Sequence, residues 1–424
     1  MNKVGLSLIF LVSMMACQFV TAAEIVNEIR FQGNKKTKER ILRQELTIKP
    51  GDSIDRRQLE RSRQAIMDLG LFKSVEVDVA EKGIVVFTVS EKRYVLVIPR
   101  FSRDRDNDKI SPGANLTIDN IAGLNQRVEL RYRQSDAANG LSGNVKELEI
   151  NYQHPKIFAT QYSLEVQLGL SHKPLQLITS SVPVAEYSQE EADLVFIVSR
   201  WLSKIGPSSG WVAGVGPRLR YSRYDYVSGT PGLLTKDRAV SLLGQIFYTN
   251  VHDHLHSRSG VNYGYVLEQG IKGLGSDFDY SRHLFFYRHY KHLGKPHTNL
   301  NWQLRIGLSD RVSSSLDEDV FDIGGYGDLR AYDSTVSGNA YVLANIEYLR
   351  PVFSRNHVRA LLFVDVGDAF ARNSDITLSD LKWATGVGLR WKVKSFVNLN
   401  FSLEFAYNVE TGENKAFFRT SGPF

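Results

Sequence analysis

From about residue 95 onward, apolar and polar residues take turns along the chain. Tyr162, Leu164, Val166, Leu168 and Leu170 are separated by Ser163, Glu165, Gln167 and Gly169. Leu300, Trp302, Leu304, Ile306 and Leu308 alternate with Asn299, Asn301, Gln303, Arg305 and Gly307. Val397, Leu399, Phe401, Leu403, Phe405 and Tyr407 alternate with Asn398, Asn400, Ser402, Glu404 and Ala406. A period of two puts each set on one face of a β-strand. Soluble sandwiches alternate too, so the position of the aromatics has to decide what the apolar face meets. Trp383 and Trp391 bracket Thr385, Val387 and Leu389 on one face of one strand. At ~3.3 Å per residue and ~40° tilt they lie about 20 Å apart in height, close to an apolar band between two aromatic girdles.

Counting such segments predicts an antiparallel transmembrane β-barrel of about sixteen strands over residues 95–424. Short connections fall near 121–126, 154–159, 291–297 and 394–396. Longer polar ones fall near 171–192, 225–237 and 309–338. Short turns belong on the periplasmic side and long loops outside, which leaves both ends of the barrel sequence in the periplasm. No later apolar run approaches the ~20 residues of a spanning helix, so a closed sheet is the remaining way to satisfy the backbone in lipid.

Residues 24–94 read differently, as β-α-α-β-β. Residues 25–31 alternate as a short strand that Gly33 and Asn34 end. Thr37 is expected to cap a helix running to about Glu45. Asp55, with Gln58 three residues on, opens a second helix that Gly70 stops. Residues 72–79 and 84–89 form a hairpin. Ahead of this module, residues 1–23 read as a signal peptide: Lys3, an uncharged apolar run from Val4 to Ala16, then Thr21-Ala22-Ala23. Its removal would take away Cys17, the single cysteine.

Composition narrows the function classes. Charged residues are 23% and hydrophobic ones 42% of 424, which excludes a disordered chain. The net charge of +6 is scattered, so nucleic-acid binding gains no support. No nucleophile elbow or phosphate loop occurs, and neither an enzyme, a nucleotide nor any cofactor is expected. His252, His254 and His256 alternate, but Asn250, Asp253 and Gly260 around them favour a turn over a metal site.

Several local motifs resemble a known family. Phe31-Gln32-Gly33-Asn34, the run 69–75 and the element order resemble a polypeptide-transport-associated (POTRA) domain. The run 324–332, with Leu329-Arg330-Ala331-Tyr332 at its core, resembles the long-loop motif of the BamA/TamA superfamily of outer-membrane assembly and secretion proteins. Ala331 stands where that motif usually has Gly. Asn345-Ile346-Glu347-Tyr348, then Phe363-Val364-Asp365-Val366-Gly367, then Gly386-Val387-Gly388-Leu389-Arg390 follow in the family's order. Phe418 and Phe424, at alternate positions of a terminal strand, resemble a C-terminal assembly signal.

The resemblance implies an outer-membrane protein of the surface-antigen type with its POTRA domain in the periplasm. Its partners would be outer-membrane lipids and an unfolded or partly folded client polypeptide, inserted into the membrane or passed across it. A single POTRA domain argues against the main assembly factor, which carries several. A passive porin or structural outer-membrane protein with a periplasmic spacer domain stays open as the second class. Within the barrel, Ala360, Leu362, Val364 and Val366 would face lipid, which turns Phe363, Asp365 and Gly367 inward. A carboxylate in a confined lumen wants a cation, and Arg330 offers a planar fork, so Arg330 is expected as a latch on Asp365. Arg359 and Arg390 remain alternative partners for Asp365. The polar segment 413–416 and Ser421-Gly422-Pro423 predict a weak seam between last and first strands, where Ile98 and Phe418 should come close.

Overall fold

The structure is a computed structural model. It describes residues 25–103, 110–136, 141, 143–157, 160–179, 182–203, 209–311, 321–325, 327–332, 336–352, 355–397 and 399–420. The expected signal peptide and Phe424 lie outside these described residues.

The first module contains β1 (Glu28–Gln32), α1 (Glu39–Arg43), α2 (Arg56–Met67), β2 (Phe72–Ala80) and β3 (Ile84–Glu91). β2 and β3 form an antiparallel hairpin, β1 joins β3 in parallel, and the sheet order is β1-β3-β2. Both β1 and β2 are therefore edges. α2 opens on Asp55, whose carboxylate accepts the Arg57 N–H at 2.9 Å, a cap worth about 1 kcal/mol. Gly70, at φ 72°, turns the chain out of the helix. Thr37 does not cap α1, which starts after Lys38 with no side-chain cap. Its hydroxyl instead donates to Glu91 at 2.7 Å and lies 3.1 Å from the Tyr94 hydroxyl. α1 is shorter than expected. A helix of one turn gains little from its own hydrogen bonds, and this one is held by burying Ile41 and Leu42.

The rest is one sheet of sixteen strands. Its first half is β4 (Val95–Arg103), β5 (Ile110–Ile121), β6 (Gln126–Asp136), β7 (Asn144–His154), β8 (Tyr162–Thr179), β9 (Val182–Trp201), β10 (Gly210–Gly229) and β11 (Lys236–Asp253). β12 (Arg258–Gly270), β13 (Tyr280–His292) and β14 (Asn299–Arg311) follow. β15 (Phe321–Asp322) and β16 (Ser337–Gly338) pair with each other inside the long connection. β17 (Ala340–Val352), β18 (Arg355–Phe370), β19 (Lys382–Lys392), β20 (Asn400–Asn408) and β21 (Asn414–Arg419) complete the wall. Strand order follows the chain from β4 to β21. Among the described residues β4 and β21 share no ladder, so the sheet is open at one seam.

The expected faces hold through most of the wall. Leu362 and Val387 are exposed on the outside, whereas Phe363, Asp365 and Glu404 are buried inside. Two expected loops are strand instead. β8 and β9 stay paired through 171–192, as far as Thr179 opposite Val182. β10 runs on past Asp225 against β9. These extensions carry a small core of their own, with Tyr187, Tyr224 and Leu234 buried together. A third correction concerns β20, which begins at Asn400. Leu399 is buried, and Val397 packs into the core of the first module beside Leu59, Ile66 and Phe87. Neither meets lipid.

That contact belongs to a broad junction beneath the barrel mouth. The Gln64 amide donates to the Asp253 carbonyl at 2.9 Å, and the Asp253 N–H donates to Asp68 at 2.9 Å. His252 Nδ1 lies 2.8 Å from the same Asp68. Glu45 pairs with Lys156, and the Lys38 N–H donates to the Gly123 carbonyl at 3.0 Å. The alternating histidines thus sit at the β11–β12 turn, where His252 engages α2 and His254 engages Ser259.

Candidate functional site

The connection between β14 and β17 folds back into the lumen. The Leu329 N–H donates to the Ile323 carbonyl, and Gly325 (φ 104°) and Gly327 (φ 95°) make the turn that this requires. Leu329, Arg330, Ala331 and Tyr332 are all buried. Arg330 is completely enclosed, at 0% exposure.

A buried guanidinium needs charge and hydrogen bonds together, and the wall supplies both. Arg330 Nε and Nη2 donate to the two oxygens of Asp365 on β18, at 2.7 and 2.6 Å. This is the bidentate geometry that only arginine can offer. The Arg330 backbone N–H adds a third bond to Asp365, at 3.2 Å. Nη1 donates to Glu347 on β17 at 2.9 Å and to Glu404 on β20 at 2.8 Å. Arg390 on β19 closes the network, donating to Glu347 at 2.9 Å and to Glu404 at 2.8 Å. Three carboxylates therefore share two guanidiniums. The Asn345 amide donates to Asp365 and to the Asp328 carbonyl, each at 2.7 Å, and the Gln303 amide donates to Asn345 at 2.8 Å.

Beneath the guanidinium lies the ring of Phe363, 3.5 Å from its centroid to the arginine carbon. The glycines of β19 make room for this stack. A Cβ at Gly386 would lie 2.4 Å from the Phe363 ring, and one at Gly388 would lie 2.9 Å from Glu404 Cγ. Gly367 is needed for a different reason, because a Cβ there would lie 2.5 Å from the Val342 carbonyl oxygen. The Gly-x-Gly-x-Arg run is thus a packing requirement of the arginine site.

Of the residues expected from sequence, Arg330, Phe363 and Asp365 meet. Leu329 and Ala331 pack around them. The Tyr332 hydroxyl donates to the Trp383 carbonyl at 3.4 Å. Phe418 is elsewhere, on the outer face against Phe401 and Trp391. Ile98 is paired opposite Asn115, which is buried on the inner face. Ile98 and Phe418 therefore point to opposite sides of the wall, and Val97 is the outward residue of β4. Arg390 binds Glu347 and Glu404 in place of Asp365. Sequence reasoning missed Glu347 and Glu404 as partners of Arg330, although both lie on inward positions of recognised strands. They also change the chemistry of a charge swap. With Asp at 330 and Arg at 365, the new aspartate would face two carboxylates, so the rescue expected for an isolated pair is not expected here.

A family model described as the Omp85 superfamily domain matches residues 99–420, and a POTRA model described as a surface antigen variable number repeat matches residues 24–92. The outer membrane protein assembly factor BamA of Nitratidesulfovibrio vulgaris is 22% identical, over 94% of this chain and 50% of its own length. The chain thus spans about half the length of that curated relative. Among solved structures, CdiB from Escherichia coli aligns over 94% of this chain and 74% of its own, with TM-score 0.64 and 13% identity. BamA from Haemophilus ducreyi lacking POTRA domains 1–3 aligns over 93% and 83%, with TM-score 0.51 and 15% identity.

Proposed function

The chain belongs to the Omp85 superfamily, and from that premise we propose that it receives an unfolded client polypeptide at the seam between β4 and β21. The barrel lies in the outer membrane and the POTRA module in the periplasm, and we take the boundary between them to be near Tyr94. Delivery would end in insertion into the membrane or passage across it. The work needs no catalysis and no nucleotide, because burying the client's apolar face supplies free energy.

The observation that carries this reading is the seam, where β4 and β21 share no ladder among the described residues. Backbone groups left unpaired in lipid cost several kcal/mol each, and an added strand removes that cost. The outward side chains Val95 and Val97 are exposed beside this edge. A second edge, β2, borders an open groove of about 1360 Å³ between it and α2, where Leu59, Val75 and Val77 face Arg63 and Glu60. That groove suits an incoming extended segment. The arginine cluster has the complementary role of a latch, keeping the wall from β17 to β20 rigid while the seam opens.

A photocrosslinking amino acid placed at Val97, Val77 or Leu304 tests the reading against an unfolded outer-membrane barrel protein as client. Adducts are expected from Val97 on the seam and Val77 on β2, and none from Leu304 on the far wall. Equal yield at all three positions would overturn it. So would steady conductance in planar bilayers with no adduct from Val97, which is the behaviour of a passive pore.

A further inference from the structure

The lumen holds a second charged region, beside the seam. A cavity of about 440 Å³ is bounded there by Leu96 and Ile98 on β4, by Thr420 just past β21, and by His256, Arg258 and Arg359. Its charge is one-sided. Arg127 and Arg131 also reach it, but they share Glu129 at 3.2 and 2.8 Å. Arg390 is engaged by Glu347 and Glu404. Lys392 lies 3.0 Å from Asp253. The guanidiniums of Arg258 and Arg359 form no salt bridge and no hydrogen bond among the described residues, the Asp253 carboxylate acting on both and Glu347 on Arg359 only at longer range. Arg359 moreover stands directly opposite Arg390 across the β18–β19 ladder, an arrangement of like charges that opposes folding.

The rim of the cavity feels this positive potential. Burial, and then the neighbouring His297, Lys392, His357 and Arg359, push the His256 imidazole down to about 4. Its Nδ1 is buried without a hydrogen-bond partner among the described residues. Cations that the fold keeps without a close ion-pair partner mark sites of function more often than of stability.

We propose that this cavity binds the carboxylates of an acidic polypeptide segment, held by the forked donors of Arg258 and Arg359. The proposal rests on the client reading above and adds a charge preference to it. Position favours a polypeptide over a lipid. Asn115, Thr117 and Glu129, which line the same cavity, are on the inner face of the wall, whereas lipid meets the outer one. The free edge of β4 runs alongside. A segment paired to β4 near Leu96 and Ile98 would turn alternate side chains inward, towards the two arginines.

The test uses the full chain in neutral detergent and a fluorescein-labelled hexaglutamate peptide. The peptide is expected to bind and to raise the unfolding midpoint, and hexaglutamine to do neither. Arg258→Gln with Arg359→Gln should weaken binding at least about tenfold, a loss of roughly 1.4 kcal/mol. Its peptide-free midpoint should equal or exceed that of the parent, since two unpaired charges are gone. Arg359→Lys, which keeps the charge and loses the fork, should fall between. Heat-modifiable gel migration confirms that each variant is folded. Equal affinity in the double variant, or equal binding of hexaglutamine, would overturn the proposal. So would inorganic phosphate or phosphatidylglycerol vesicles binding through the two arginines while the peptide does not. Crosslinking from Val97 separates the two layers of inference. Adducts retained in a double variant with unchanged peptide affinity would sink the cavity alone, and no adducts in the parent protein would sink the client reading beneath it.

Discussion

Two regions of the lumen treat buried charge in opposite ways. On the wall from β17 to β20, Arg330 and Arg390 share Asp365, Glu347 and Glu404, and Asn345 completes the hydrogen bonding. In the cavity beside β4, Arg258 on β12 and Arg359 on β18 form no salt bridge and no side-chain hydrogen bond among the described residues, and β4 and β21 share no ladder there. Satisfied polar networks specify one arrangement, whereas unsatisfied groups favour whatever can satisfy them. The same barrel therefore contains a charge cluster built to stay as it is and a cavity and seam built to be completed.

The comparison breaks most visibly at Arg330. Removing it leaves three buried carboxylates with Arg390 alone, so Arg330→Ala should cost ~3–5 kcal/mol in urea unfolding from lipid vesicles. Arg330→Lys should recover little, because an ammonium cannot span both oxygens of Asp365. Arg359→Ala, in the cavity beside β4, should cost far less. Equal losses for Arg330→Ala and Arg359→Ala would erase the distinction. The next largest effect lies on the outer face of the rigid wall. Phe405 is exposed near the middle of β20, so Phe405→Arg should cost ~2–4 kcal/mol. Phe401, at the start of that strand, stacks with Trp391 and Phe418 as part of a girdle. Phe401→Arg should therefore cost only about 0–1 kcal/mol, and a cost independent of depth would show that the membrane band is misplaced.

Lys92 sharpens the other half of the comparison. It is buried in the junction between β3 and β4, and its ammonium donates to the Gly70 carbonyl at 2.7 Å. Burial, and then nearby Lys392, push its pKa down to about 8. The unfolded chain thus binds more protons than the folded one between about pH 8 and 10.5, so stability should rise as pH climbs through that range. Tyr94, pushed up to about 12 mainly by burial, works in the opposite sense above pH 10, so urea midpoints are best compared at pH 7.5 and 9.5. Lys92→Met should flatten that rise and add on the order of 1–3 kcal/mol at pH 7.5. An unchanged slope in Lys92→Met would remove Lys92 from the set of strained cations.

How much of this was legible in the sequence follows from what each signal encodes. Lipid imposes an apolar face on every second residue, so the register of β14 and β18 could be read directly. Above the membrane that pressure ends. The polar stretch containing Gln176, Glu186 and Ser188 therefore read as a loop, although it is hairpin, and buried Tyr187 and Tyr224 were the signal available. The Arg330 to Asp365 contact was accessible because parity turns Asp365 inward. Glu347 and Glu404 share that parity, but their height depends on register across three ladders. Only pairing places Glu347 opposite Phe363, Phe363 opposite Gly386, and Gly388 opposite Glu404. The short α1 was misjudged because its one turn is held by tertiary contacts, which no cap in the sequence announces.

The smallest effect is also the finest probe of the rigid wall. Ala331 follows the latch arginine at φ 71°, in the left-handed region where the resembling motif usually has glycine. A Cβ there costs an L-residue about 1–2 kcal/mol. Ala331→Gly should relieve that strain. The substitution also removes a fully buried methyl, worth about 0.8 kcal/mol, and frees the unfolded backbone by roughly 0.5–1 kcal/mol. These terms nearly cancel, so the expected change in unfolding free energy lies within about 1 kcal/mol of zero. Protease protection of residues 323–336 is the more telling measurement. If the left-handed turn is only tolerated, Ala331→Gly should leave that segment as protected as before. If the alanine stiffens the turn that presents Arg330 to Asp365, protection and crosslinking from Val97 should both fall in Ala331→Gly while global stability holds. Loss of global stability by several kcal/mol would contradict both alternatives, and would mean that the buried methyl of Ala331 supports the arginine site through packing.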